Sequence, residues 1–135
     1  MMIIKNKIIP FGDYDCINLF GILFTKKDLT EKEINHENIH TIQILECILL
    51  GVVIIGILDI FMKFSLWWYL VSIFTFYILY CLEYLFIRCF HKKQGDAYRD
   101  VSFEEEAYTY DDDLTYLKDR KWYKWWKFVK IKSNI

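Results

Sequence analysis

A chain of 135 residues leaves room for one domain, and a net charge of −1 selects no partner by bulk electrostatics. Hydrophobic residues make up 55% and aromatics 19%, and charges almost vanish between Thr41 and Leu82, which argues against an ordinary soluble domain. The four cysteines Cys16, Cys47, Cys81 and Cys89 form no CxxC pair, which argues against a thiolate zinc ribbon.

The first segment, 1–29, reads as β. Ile3, Ile4, Ile8 and Ile9 suggest one strand ended by Pro10, and Phe11 to Asp15 a turn. Ile17 to Phe24 then suggests a second strand with Gly21 inside it, giving a β-hairpin or part of a small sheet. This opening is short, carries Lys5 and Lys7 and lacks a small-residue cleavage site, so it does not read as a secretory signal.

Thr30-Glu31-Lys32-Glu33 has the capping-box pattern, so a helix is expected over 30–61. No proline interrupts it. Its first turns are polar, and from Ile42 it is apolar and long enough to cross a bilayer core of ~30 Å at ~1.5 Å per residue. Met62 to Ser65 is a tight turn. Residues 66–90 form a second apolar run, with Trp67, Trp68 and Tyr69 at one edge and Tyr84 at the other, as in an interfacial aromatic belt. The short turn makes the two spans antiparallel neighbours.

A polar connection over 89–101 leads to Ser102-Phe103-Glu104-Glu105, a second capping-box pattern, and a helix expected over 102–119. The tail, 120–135, interleaves Lys121, Lys124 and Lys127 with Trp122, Trp125 and Trp126. That composition suits a lipid headgroup layer better than nucleic acid, because it follows a membrane hairpin. The fold expected is an α+β membrane protein forming a single domain. Lys5, Lys7, Lys26, Lys27 and Lys32 precede the first span, and Arg88, Lys92, Lys93 and Arg99 lie at or beyond the end of the second. Only Lys63 lies in the turn, so both termini are expected on the cytoplasmic side of the inner membrane.

The chemistry centres on His36-Glu37-Asn38-Ile39-His40. Histidines at i and i+4 project from one helical face and can reach one tetrahedral zinc. Glu37, about 100° round the axis, is placed to act as general base on a zinc-bound water. A third protein ligand must come from elsewhere. Glu46 stands ten residues after His36, but Gln43 continues the helix, so Glu46 points away. Glu83 on the second span is the rival ligand, or a supporting group for Gln43. Glu104 is the preferred ligand, because its helix returns to the same side of the membrane. Glu106 lies about 200° round that helix from Glu104 and is expected to be idle.

The order of an HExxH helix, a membrane hairpin and a Glu-x-x-Ala helix (Glu104 to Ala107) resembles the integral-membrane gluzincin peptidases of the HtpX, CAAX-prenyl endopeptidase and BlaR types. The segments Pro10-Phe11, Ile17 to Gly21, Asn35-His36-Glu37-x-x-His40-x-x-Gln43, Tyr80-x-x-Glu83-Tyr84 and Ser102-Phe103-Glu104-x-Glu106-Ala107-Tyr108 are also similar to a family of small, uncharacterised membrane HExxH zinc-peptidase-like proteins of Bacteroidota-type bacteria. The resemblance implies a zinc endopeptidase acting on a peptide or protein at the membrane face. A strand edge, here Ile17 to Phe24, would bind substrate in extended form. Tyr108 stands where the larger peptidases carry an Asp that orients a ligand histidine, and its hydroxyl is the group left for that role. The alternative is a non-catalytic binding or regulatory protein on the same scaffold. Retention of Glu37 speaks against it, since a scaffold needs no base.

Overall fold

The computed structural model describes residues 1–90 and 97–129, so parts of the expected polar connection and of the tail lie outside the described residues. Among those described, the chain is α+β, with a small three-stranded sheet and four α-helices.

The sheet corrects the expected hairpin. Strand β1 is Met2–Lys5, β2 is Cys16–Leu19 and β3 is Ile22–Thr25, in the order β1-β3-β2. The run from Ile17 to Phe24 is therefore two strands. They pair antiparallel with Leu19 opposite Ile22, around a two-residue turn at Phe20 and Gly21. Both turn residues have positive φ, 54° and 82°, as a twist-matched hairpin turn requires. Phe20 tolerates this because its ring packs edge-on against Phe74 and Tyr77, and its amide donates to the Tyr77 hydroxyl at 3.0 Å. Strand β1 stops at Lys5 and joins β3 in parallel, a non-local pairing that local alternation cannot announce.

Helix α1, Glu31–Met62, starts where its capping box says. The Thr30 hydroxyl accepts the Glu33 amide at 3.2 Å, and the Thr30 amide donates to the Glu33 carboxylate at 2.8 Å. The helix ends on Lys63 in the left-handed region, whose amide donates to the Asp59 carbonyl. The second run, Leu66–Phe90, is not uniformly α-helical. It begins as a 3₁₀ segment, Leu66–Phe74, and becomes helix α2 at Thr75–Phe90. It crosses α1 at Gly51, where a Cβ would collide with Thr75 Oγ1 and stand 3.0 Å from Ser72 Cα. A small residue at such a crossing is what lets two apolar helices approach. At the same place the Ser72 hydroxyl donates to the Tyr69 carbonyl at 2.6 Å, back over the tight winding.

Both runs are long and apolar enough to cross a membrane. The core helix of a soluble protein passes the same test but is mostly buried, whereas only 22% and 17% of the most apolar windows here are buried inside the protein. Val53, Ile57, Ile60, Phe61, Leu66 and Trp67 all point outward.

The third helix is shorter than expected. Helix α3 is Ser102–Tyr110, and a separate turn of helix, α4, follows at Tyr116–Asp119. The break comes from tertiary contacts. Asn35 Nδ2 donates to the carbonyls of Tyr110, Asp111 and Asp113, which continued helix would have used itself. Asp113 Oδ1 accepts the Thr115 amide and fixes the turn. The second capping box does not form. Val101 is the N-cap, and the Ser102 hydroxyl and amide instead donate to the Glu83 carboxylate at 2.7 and 3.0 Å.

The core gathers Ile44 and Cys47 of α1, Phe76 and Ile87 of α2, Val101, Phe103 and Trp125. Trp125, expected in the headgroup layer with its neighbours, packs on Phe103 with ring centroids 4.6 Å apart, whereas Trp122 and Trp126 remain exposed. Residues 120–129 are therefore held by an aromatic anchor, with Trp122 and Trp126 presented outward.

Candidate metal centre

One face of α1 carries His36, His40, Gln43 and Cys47 at helical spacing, and all four are buried. The sheet is fastened to this stretch by Asn18, whose Nδ2 donates to the Glu37 carbonyl at 2.9 Å and to Thr41 Oγ1 at 3.0 Å. Helix α3 lies against the same face and brings Glu104 to the two imidazoles. His36, His40 and Glu104 each offer a ligand atom within 4.8 Å of the others, a group that could hold a metal ion.

The spacing fits a small tetrahedral cation. His40 Nε2 and His36 Nε2 face each other at 3.1 Å, and Glu104 oxygens lie 3.3 Å from His36 Nε2 and 3.4 Å from His40 Nε2. Donors bound to zinc at ~2.0–2.1 Å stand about 3.3–3.4 Å apart along a tetrahedral edge. Glu104 Oε2 is buried with no hydrogen-bond partner, 3.3 Å from His36 Nε2, and an orphaned buried carboxylate oxygen beside an imidazole nitrogen is what a cation would satisfy. Burial opposes ionisation of Glu104, but the His40 and His36 imidazoles outweigh it and hold the carboxyl below the usual carboxylate range.

The network around His40 also selects its tautomer. Gln43 Nε2 donates to the Phe103 carbonyl at 3.1 Å and to Glu106 Oε2 at 3.0 Å. Its amide oxygen is therefore the atom 2.7 Å from His40 Nδ1, so Nδ1 donates its proton there and Nε2 is the nitrogen turned toward the metal group. Gln43, singled out in the sequence as a supporting residue, lies with its side-chain amide against His40.

Glu83 does not reach the group or Gln43. It anchors the first residue of α3 through Ser102 and so sets the height of Glu104. Glu46 points away, as expected. Tyr108 meets His36 through its ring, edge to face at 4.6 Å, with the Arg99 guanidinium 4.3 Å above that ring. The carboxylate nearest His36 Nδ1 belongs to Asp111, at 3.9 Å and almost fully buried. Asp111 follows Tyr108 by three residues and Glu104 by seven, so it lies on the same face, a spacing the sequence already contained.

Further residues escaped the sequence reading. The Tyr80 hydroxyl donates to Glu104 Oε1 at 3.1 Å. The Tyr98 hydroxyl lies in the same environment, its pKa pushed up first by burial and then by Glu104. Glu106 is not idle: it is fully buried and holds Gln43.

Beside the metal group is a cavity of about 490 Å³, within the range of ligand pockets. Glu37, half-buried, lies on its wall with His40 and Glu104, and aromatic rings of Phe76, Tyr77 and Phe11 form much of the rest. Cys16 donates its thiol to Glu37 Oε1 at 3.7 Å. Burial, then the Glu37 charge, pushes that thiol up to about 11, so it stays protonated and is not a competing thiolate. Strand β2 borders the cavity and is an edge of the sheet, whereas β3 is central. Only Cys16–Leu19, and not the whole run to Phe24, is therefore available to pair with another strand.

No family model matches this chain, and no curated protein or solved structure is significantly similar to it.

Proposed function

We propose that the chain is a zinc-dependent membrane metallopeptidase of the gluzincin kind, hydrolysing peptide bonds at the cytoplasmic face of the inner membrane. The observation that carries this reading is the convergence of His36, His40 and Glu104 at tetrahedral spacing, on the wall of a cavity that also holds Glu37. Zinc held there would supply a Lewis acid that acidifies water and polarises a carbonyl.

The chain's own residues supply the rest. Glu37 takes a proton from the attacking water, and after the carbon–nitrogen bond breaks it returns that proton to the leaving amine. The Tyr80 hydroxyl and Gln43 hold Glu104 and His40 in place. An extended peptide substrate pairs with the free edge of β2, backbone to backbone, beside the cavity. The bilayer covers the outward apolar faces of α1 and α2. Exposed Trp122 and Trp126 sit near the level of Glu46, where Tyr123 bonds to α1 and the polar turns of the helix give way to apolar ones. Ring and ammonium groups suit a headgroup layer at that height.

One experiment tests both activity and side. A quenched, membrane-impermeant peptide library is offered to inverted membrane vesicles and to intact cells making the protein. Hydrolysis in the vesicles alone, stopped by a chelator and restored by zinc, is expected. Hydrolysis by intact cells would place the site on the other side. Zinc binding with no hydrolysis of any peptide would favour the non-catalytic scaffold.

A further inference from the structure

A second buried charge cluster lies behind the metal group and does not touch the cavity. Arg120, from the segment after α4, is almost fully buried between Glu46 of α1 and Glu106 of α3, both fully buried. Its guanidinium forks over both carboxylates. Nη1 and Nη2 donate to the two Glu46 oxygens, Nε donates to Glu106 Oε1 at 2.7 Å, and Nη2 also reaches Glu106 Oε2 at 3.1 Å. Burial by itself would weaken the charge on Arg120, but the two carboxylates raise its pKa and keep it protonated.

This cluster is wired to the metal group. The Glu106 oxygen that Arg120 Nη2 holds is the one that accepts Gln43 Nε2, and the Gln43 oxygen faces His40 Nδ1. We propose that Arg120 is a positioning residue of the metal site: by fixing Glu106 it fixes which way the Gln43 amide points, and so which His40 nitrogen is free to bind metal. Without the guanidinium, nothing bridges the two buried carboxylates, they repel each other, and Glu106 is no longer held against Gln43. Gln43 then keeps only the Phe103 carbonyl to hold its NH₂ outward, and the amide is freer to flip. A flipped amide presents that NH₂ to His40 Nδ1 and moves the imidazole proton to Nε2, where it blocks the ligand lone pair. A residue 80 positions from His40 thereby sets its tautomer, and the C-terminal segment becomes part of the site.

This inference rests on the metal reading, and the experiment separates the two. Zn²⁺ affinity is measured by chelator competition on detergent-purified full-length protein, with thermal unfolding of the zinc-free forms alongside. Arg120→Ala is expected to weaken zinc about 10–100-fold, as for other changes behind a metal ligand, with Arg120→Lys between it and wild type. In a Gln43→Ala background, Arg120→Ala should add little further loss, because both act through one amide. A purely structural Arg120 would lower the unfolding temperature without this non-additivity. Should Arg120→Ala fail to fold, Glu106→Ala, which removes the Glu106 acceptor of Gln43 outright, carries the same expectation. Wild-type affinity in a folded Arg120 or Glu106 variant, or losses that multiply in the double variant, would overturn the proposal. A wild type that binds no zinc would overturn the metal reading itself.

Discussion

Glu37→Gln is expected to keep its zinc and lose about 10²–10⁴-fold in peptide hydrolysis, the range for removing a positioned general base. The substitution keeps size and hydrogen bonding but removes the only function the motif assigns to this side chain, acceptance of a proton. Glu37 does not belong to the group of His36, His40 and Glu104, so metal content should not follow activity. Its carboxylate accepts the Cys16 thiol at 3.7 Å, a weak donor, and lies on the cavity wall where water can reach it. Zinc content and turnover of a quenched peptide, measured on the same preparations, check this. A variant that turned over at the wild-type rate would remove Glu37 from the chemistry. One that lost zinc with activity would make it a ligand.

The second large effect concerns Glu104. Removing it leaves two imidazoles, too few protein donors for a tight tetrahedral site, so Glu104→Ala should weaken zinc by more than the ~10–100-fold typical of supporting residues. Glu83→Gln should cost less. Its carboxylate binds the amide and hydroxyl of Ser102, two residues before the ligand, and a neutral amide can still accept one of those bonds. The geometry reverses one expectation. Glu106→Ala should also weaken zinc, because Glu106 is fully buried and holds Gln43. Chelator competition on the three variants ranks them. Glu83→Gln proving worse than Glu104→Ala would move the third ligand into the hairpin.

The parts of this protein legible in the sequence are those set by local rules. Thr30 and Glu33 announce the start of α1 because a capping box is closed within four residues. The histidine pair and Gln43 announce a shared face because helical spacing fixes it. Glu104 was found through a motif on a helix that returns to the site. What stayed hidden was decided between distant residues. Nothing near Ile3 reveals that β1 runs parallel to β3. Nothing near Asp111 reveals that Asn35, on another helix, takes the carbonyls that would have continued α3. Glu46 read as an unneeded acid because its partner, Arg120, is 74 residues away. Asp111 is the exception: its seven-residue offset from Glu104 is a local helical spacing that the sequence itself contains.

Whether His36, His40 and Glu104 bind one metal ion is read from zinc-edge X-ray absorption on tag-free, detergent-purified protein, with metal content by mass spectrometry. One zinc per chain is expected, in a shell of two imidazole nitrogens and light oxygen donors at ~2.0–2.2 Å, lost in His40→Ala. A chain free of stoichiometric metal, a sulfur-containing shell, or full zinc occupancy in His40→Ala would rule this site out.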